Sequence, residues 1–142
     1  MEREILFRGK LSHSGVWVEG NLIKDRNGNK SIIPFNVFEP DGHHLIIDSD
    51  EAWRVDPETV GQFTGITDKN RLNIFEGDII VRNIFGWIRK YKCKWSTCYE
   101  RFQFVGIDTV VSIYVEDITD ILKTYKTGIE IVGNIHDNPE LL

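Results

Sequence analysis

The residues with most capacity for chemistry are His43 and His44, Cys93 and Cys98, and the acidic group Asp48, Asp50, Glu51 and Asp56. Neighbouring histidines on a strand point to opposite faces, so His43 and His44 do not readily converge on one ion, although either could titrate near neutrality. No second ligand cluster accompanies them. Cys93 and Cys98 form a lone C-x4-C spacing without the second pair that a structural zinc site needs. The four carboxylates could hold a divalent cation for phosphodiester chemistry, where oxygen ligands are required, but they lack the fixed spacing of an EF-hand loop. A solvated turn is the simpler account of them. The chain therefore offers no catalytic residue, no metal ligand and no cofactor site, and a metal-dependent hydrolase is the least supported of its readings.

Charge gives a different signal. Net charge is −5, yet residues 81–105 hold six basic side chains (Arg82, Arg89, Lys90, Lys92, Lys94, Arg101) against Glu100 alone. Arg82, Arg89, Lys90, Lys92 and Lys94 lie near Trp87, Tyr91, Trp95 and Tyr99, a mixture suited to phosphate contacts and base stacking, and form the candidate interaction surface. Alternation counts against nucleic acid: if the lysines take one face and the rings the other, the rings pack inside and the lysines guard an exposed sheet. The acidic overall charge counts against it too. Residues 39–58 carry seven acidic side chains against Arg54, so opposite potentials coexist and could steer partners or subunits.

These groups must be positioned by strands. Residues 87–95 alternate Trp87, Arg89, Tyr91, Cys93 and Trp95 with Ile88, Lys90, Lys92 and Lys94, which predicts a strand with its aromatic and cysteine face on the core and Arg89 as the exception. Asn27-Gly28 predicts a hairpin between GVWVEGNLIK and residues 30–35, with Pro34 ending the second strand. Residues 44–47 and 53–55 are short strand candidates. Asp68-Lys69-Asn70 and Glu76-Gly77-Asp78 supply two turns around Ile74 and Phe75, and Ile79, Ile80 and Val81 then open a strand buried on both faces. Residues 101–105 and 110–115 continue the β pattern. Ile118, Ile121, Leu122 and Tyr125 fall at i, i+3, i+4 and i+7, predicting one short helix over 116–125, with Gly128 as a stop and a strand at 130–133. Leu141 and Leu142 are expected to clamp the terminus onto an apolar surface, within the chain or on a partner.

The length of 142 residues suits one domain, 1–142, able to bury about 70% of the surface its unfolded chain exposes. No apolar run approaches the roughly 20 residues that span a bilayer, and MEREILFRGK lacks the hydrophobic region of a signal peptide. Two cysteines are too few for a disulfide framework and agree with free thiols in a reducing compartment. The expected setting is cytoplasmic, without membrane contact.

VDPETVGQFTGITDKN, NIFEGDII and the closing IVGNIHDNPELL, with REILFRGK and GVWVEGNLI near the start, resemble the YopX-like family of small phage and prophage proteins. The similarity covers both ends and the centre and leaves roughly residues 83–130 poorly anchored. It implies a mostly β domain in a bacterial host cell, with no catalytic residues to carry over. Family members usually place glycine after the DKN turn where this chain has Arg71, which leaves Asn70 to take the left-handed conformation.

The expected fold is mainly β: a single domain of antiparallel sheets, with an SH3-like partly open barrel around EGDIIV by analogy, plus the short helix. The expected function is non-catalytic binding of a protein partner. Alternatives are a structural homo-oligomer joined through the apolar tail, and a nucleic-acid-binding module through the basic 82–101 segment.

Overall fold

A computed structural model describes residues 4–35, 52–125 and 128–142; histidines 43 and 44, the strand candidate 44–47 and Asp48, Asp50 and Glu51 lie outside them. The chain divides into two compact units, Met1–Phe63 and Thr64–Leu142. In the first, β1 (Phe7–Lys10) runs antiparallel to β2 (Trp17–Lys24), which pairs with β3 (Lys30–Ile33). The Asn27-Gly28 hairpin is present: Gly28 has φ 86°, and the Asp25 carboxylate accepts from the Asn27 and Asn29 backbone N–H groups at 2.8 and 2.9 Å. Strand β3 ends at Ile33, before Pro34, which has no N–H for a ladder. Leu11, Ile32 and Val55 form the core, with Val18 and Leu22 of β2 packed on it, so the imperfect alternation of that strand leaves one face half wet. Residues 53–55 form only isolated bridges, Leu11 with Val55 and Ser31 with Arg54, rather than a strand.

The Asn29 side chain also donates to Asp25 at 3.0 Å, and this contact, ahead of the two backbone donors, holds the carboxyl below its ordinary value. A depressed folded-state value means that the turn's stabilisation is complete above the unfolded-state pKa, about 3.9, and is lost as pH falls through the lower folded value. Wild type is accordingly expected to exceed Asp25→Asn in stability at pH 6, with the difference shrinking below about pH 4 in denaturant titrations run across pH.

Strand β4 (Gly61–Thr67) pairs with β1 at its start and runs on past Phe63 into the second unit. There β5 (Asn73–Phe75), β6 (Asp78–Ile84), β7 (Trp87–Ser96), β8 (Arg101–Gly106), β9 (Ser112–Tyr114), α1 (Val115–Tyr125) and β10 (Ile129–Asn134) follow. An antiparallel sheet has the order β10-β6-β7-β8-β9. Its inner face gathers Ile80, Tyr91, Cys93, Phe102, Phe104 and Ile129, over which Val115 and Ile118 of α1 pack. The helix begins one residue before the span expected from its apolar spacing; Ile118 is buried and Ile121 half-buried, while the side chains of Leu122 and Tyr125 lie outside the description. Ile79 and Ile80, on opposite faces of β6, are both buried, as the β-branched run implies. The fold is thus mainly β, with two antiparallel sheets and one short helix. Both sheets are open, so the barrel expected around EGDIIV is an open sheet with β10 and β9 as its edges.

The signature stretches prove to be places where backbone is tied down. Asp68 accepts from Asn70 N and Leu72 N through one oxygen (2.8 and 3.0 Å) and from Ile131 N through the other (3.1 Å), joining the turn to β10. Gly77, at φ 94°, donates to Cys93 O at 2.9 Å, and buried Asp78 accepts from Phe75 N at 2.8 Å. In the closing segment Asn138 Oδ1 accepts from Asn134 N at 3.1 Å, while Asn134 Oδ1 accepts from His136 N and Asp137 N.

One expectation is corrected at the first turn. Arg71, not Asn70, takes the left-handed conformation, at φ 66°. The arginine occupies the backbone state for which glycine is suited, because the two donors captured by Asp68 Oδ1 fix the chain on either side of it. Arg71→Gly is expected to raise stability by up to about 1 kcal/mol, since relief of a left-handed side chain slightly outweighs the added freedom of the unfolded chain. A urea midpoint unchanged or lowered would contradict this.

Candidate binding surface on the second sheet

The β6–β7 hairpin carries the candidate cations. Its loop is only Phe85-Gly86, with φ 50° and 91°, the two positive angles of a type I′ turn, and Asn83 Oδ1 accepts from Gly86 N at 2.8 Å. Sequence reading did not find this turn because Phe-Gly lacks the side chain that makes Asn-Gly recognisable. The tight loop fixes an unbroken register, Ile79 opposite Lys92, Val81 opposite Lys90, Arg82 opposite Arg89 and Ile84 opposite Trp87.

That register splits the five candidate residues. Lys90, Lys92 and Lys94 share one face with Ile88, as alternation predicts, and Lys94 is exposed while Lys90 and Lys92 are half-buried. Lys90 is committed: its Nζ donates to Leu141 O at 3.0 Å and its backbone N to Asp108 Oδ1 at 3.1 Å. Arg82 and Arg89 lie on the other face, in line with Ile80 and Tyr91. Arg82 is 7% exposed, so it is no part of an open basic stripe. Arg89 is half-buried, with its guanidinium 5.6 Å from the centre of the Trp87 ring. The five side chains therefore lie on two faces of the sheet, because residues alternate along each strand.

The aromatic face is also divided. Tyr91 and Cys93 are buried and Trp95 meets Phe102 edge-on at 4.9 Å, but Trp87 is 67% exposed because the apolar cluster ends before the hairpin tip. Phe85 and Ile88 are exposed there as well, at 77% and 61%. At the chain end Pro139–Leu141 form one 3-10 turn; Leu141 is half-buried and tied to Lys90, and Leu142 is exposed.

The remaining chemical candidates have structural roles. Asp56 caps the 3-10 turn Pro57–Thr59 by accepting from Glu58 N at 3.1 Å. Cys93 is buried in the core and Cys98 is exposed, both as free thiols. Among the described residues no group of three or more His, Cys, Asp or Glu side chains is placed to hold a metal ion, and no helix is long and apolar enough to cross a membrane. A groove in the first unit is lined by Ile23, Asp25, Asn29, Ser31, Ile33, Trp53 and Arg54, but its one carboxylate is engaged by the hairpin turn.

Comparison with known proteins agrees with this architecture. The chain is similar to the crystal structure of protein EF1440 from Enterococcus faecalis, with a TM-score of 0.59, 24% identity and 99% of each chain covered, a likeness of fold alone. No curated protein matches it. The model of the family described as YopX protein matches residues 6–142, which extends through both compact units, and the chain belongs to that family.

Proposed function

We propose that this chain is a non-catalytic binding module of phage or prophage origin, acting in the cytoplasm of a bacterial host and contacting a protein partner through the tip of the β6–β7 hairpin. The observation that carries this reading is Phe85. A bulky residue at φ 50° costs about 1–2 kcal/mol in left-handed strain, and here it is 77% exposed, so burial does not repay the cost. With Ile88 at the start of β7 it presents large apolar side chains at the tip of a tight hairpin, the kind of compact anchor that concentrates binding energy at protein interfaces.

The test is affinity capture from phage-infected host cells, read by mass spectrometry, with wild type beside Phe85→Asn. Asparagine suits the first position of a type I′ turn, so this variant is expected to gain about 1 kcal/mol in stability while losing the captured partner. Capture of the same proteins by both forms would sink the reading. The exposed tip and Leu142 also favour a second arrangement, self-association, for which light scattering across protein concentrations should show a mass above the 16.5 kDa chain. A constant monomer mass would remove that alternative.

A further inference from the structure

We propose that Arg82 and Arg89 form a binding site for a phosphate group on the inner face of the second sheet. The two residues are direct cross-strand neighbours on β6 and β7, an arrangement in which like charges repel. Arg82 is more than nine-tenths buried, and its Nε is sealed from solvent without a hydrogen-bond acceptor. Among the described residues no carboxylate forms an ion pair with either guanidinium. Burying a charge without a partner is costly, and placing a second cation beside it raises that cost. The pair is thus electrostatically incomplete, and an anion bridging both groups would complete it.

The chemistry of the pair suits phosphate. Guanidinium forks present parallel N–H donors that match the oxygens of a phosphate, and a terminal phosphate monoester, carrying close to two negative charges at neutral pH, balances two arginines. Exposed Trp87 lies on the same face, beside Arg89, on the side away from the apolar cluster. Its ring offers a platform on which the base of a nucleotide could stack. Ile88 and the three lysines point to the opposite face, so the arginine pair shares its face with neither.

The experiment measures binding of inorganic phosphate and of adenosine 5′-monophosphate to the full chain at constant ionic strength, by titration calorimetry and by thermal midpoint against a chloride reference. Wild type should bind and be stabilised by phosphate. Arg82→Met replaces an unpartnered buried charge with an apolar side chain of similar length. It should be at least as stable as wild type in chloride, yet bind phosphate at least about tenfold more weakly. Arg89→Met, at a less buried position, should show the same loss of binding and serves where Arg82→Met fails to fold. Lys94→Gln, on the opposite face, should bind as wild type does. Equal affinity for the two probes assigns the site to free phosphate; tighter nucleotide binding that Trp87→Leu abolishes assigns it to a nucleotide, and both results support the proposal. Absence of phosphate binding by wild type overturns it. So does a response that survives Arg89→Met, or one that falls equally with Lys94→Gln.

Discussion

Asp78→Ala is expected to lower stability by about 3 kcal/mol, among the largest effects of any single polar substitution in this chain. Asp78 is 1% exposed and its carboxylate accepts from Phe75 N at 2.8 Å, closing the turn between β5 and β6. Alanine would leave that buried N–H without its acceptor, so the full desolvation penalty falls on the folded state. The neighbouring positions transmit the damage. Gly77 bonds to β7 through Cys93 O and accepts from Ile135 N after β10, so loosening this turn disturbs two strand partners of β6 at once. Asp78→Asn keeps a side-chain oxygen and should lose less than alanine. Urea denaturation of the two variants checks the order; equal losses would show that the acceptor is not what Asp78 contributes.

Gly20→Ala should destabilise the first unit by about 3 kcal/mol or more, through sterics rather than polarity. A Cβ at position 20 would sit 2.0 Å from Ile33 O, 2.6 Å from Ile33 C and 2.9 Å from Pro34 Cα. All three neighbours are backbone, so no side chain can rotate away, and β2 and β3 must separate for the methyl group to fit. Gly28→Ala is the comparison: its Cβ meets nothing within 4 Å, so only the left-handed strain at φ 86° remains, about 1–2 kcal/mol. If the two variants unfold at the same urea concentration, the close approach of β2 and β3 is not the reason for glycine at position 20.

Much of the fold was legible because its signals are local. Asn27-Gly28 named its hairpin through turn chemistry, Pro34 ended β3 through its missing N–H, and the spacing of Ile118 and Ile121 marked α1. Alternation through Tyr91 and Cys93 separated the core face of β7 from its lysine face before any contact was known. The binding surface was less legible. Lys90 looked available, but its ammonium is held by Leu141 O, 51 residues away in sequence. Asn70 looked like the left-handed residue because asparagine tolerates that state, yet bonds from Asp68 placed Arg71 there instead.

The chain's own order of residues therefore settled the β character, the turns at Asn27-Gly28, Asp68–Asn70 and Glu76–Asp78, the helix and the YopX resemblance, since each depends on neighbours within a few residues. Only tertiary structure decided that Arg82 is buried and stands opposite Arg89. That pairing depends on a two-residue Phe85-Gly86 loop, and shifting the register by one residue would put the two guanidinium groups on different faces.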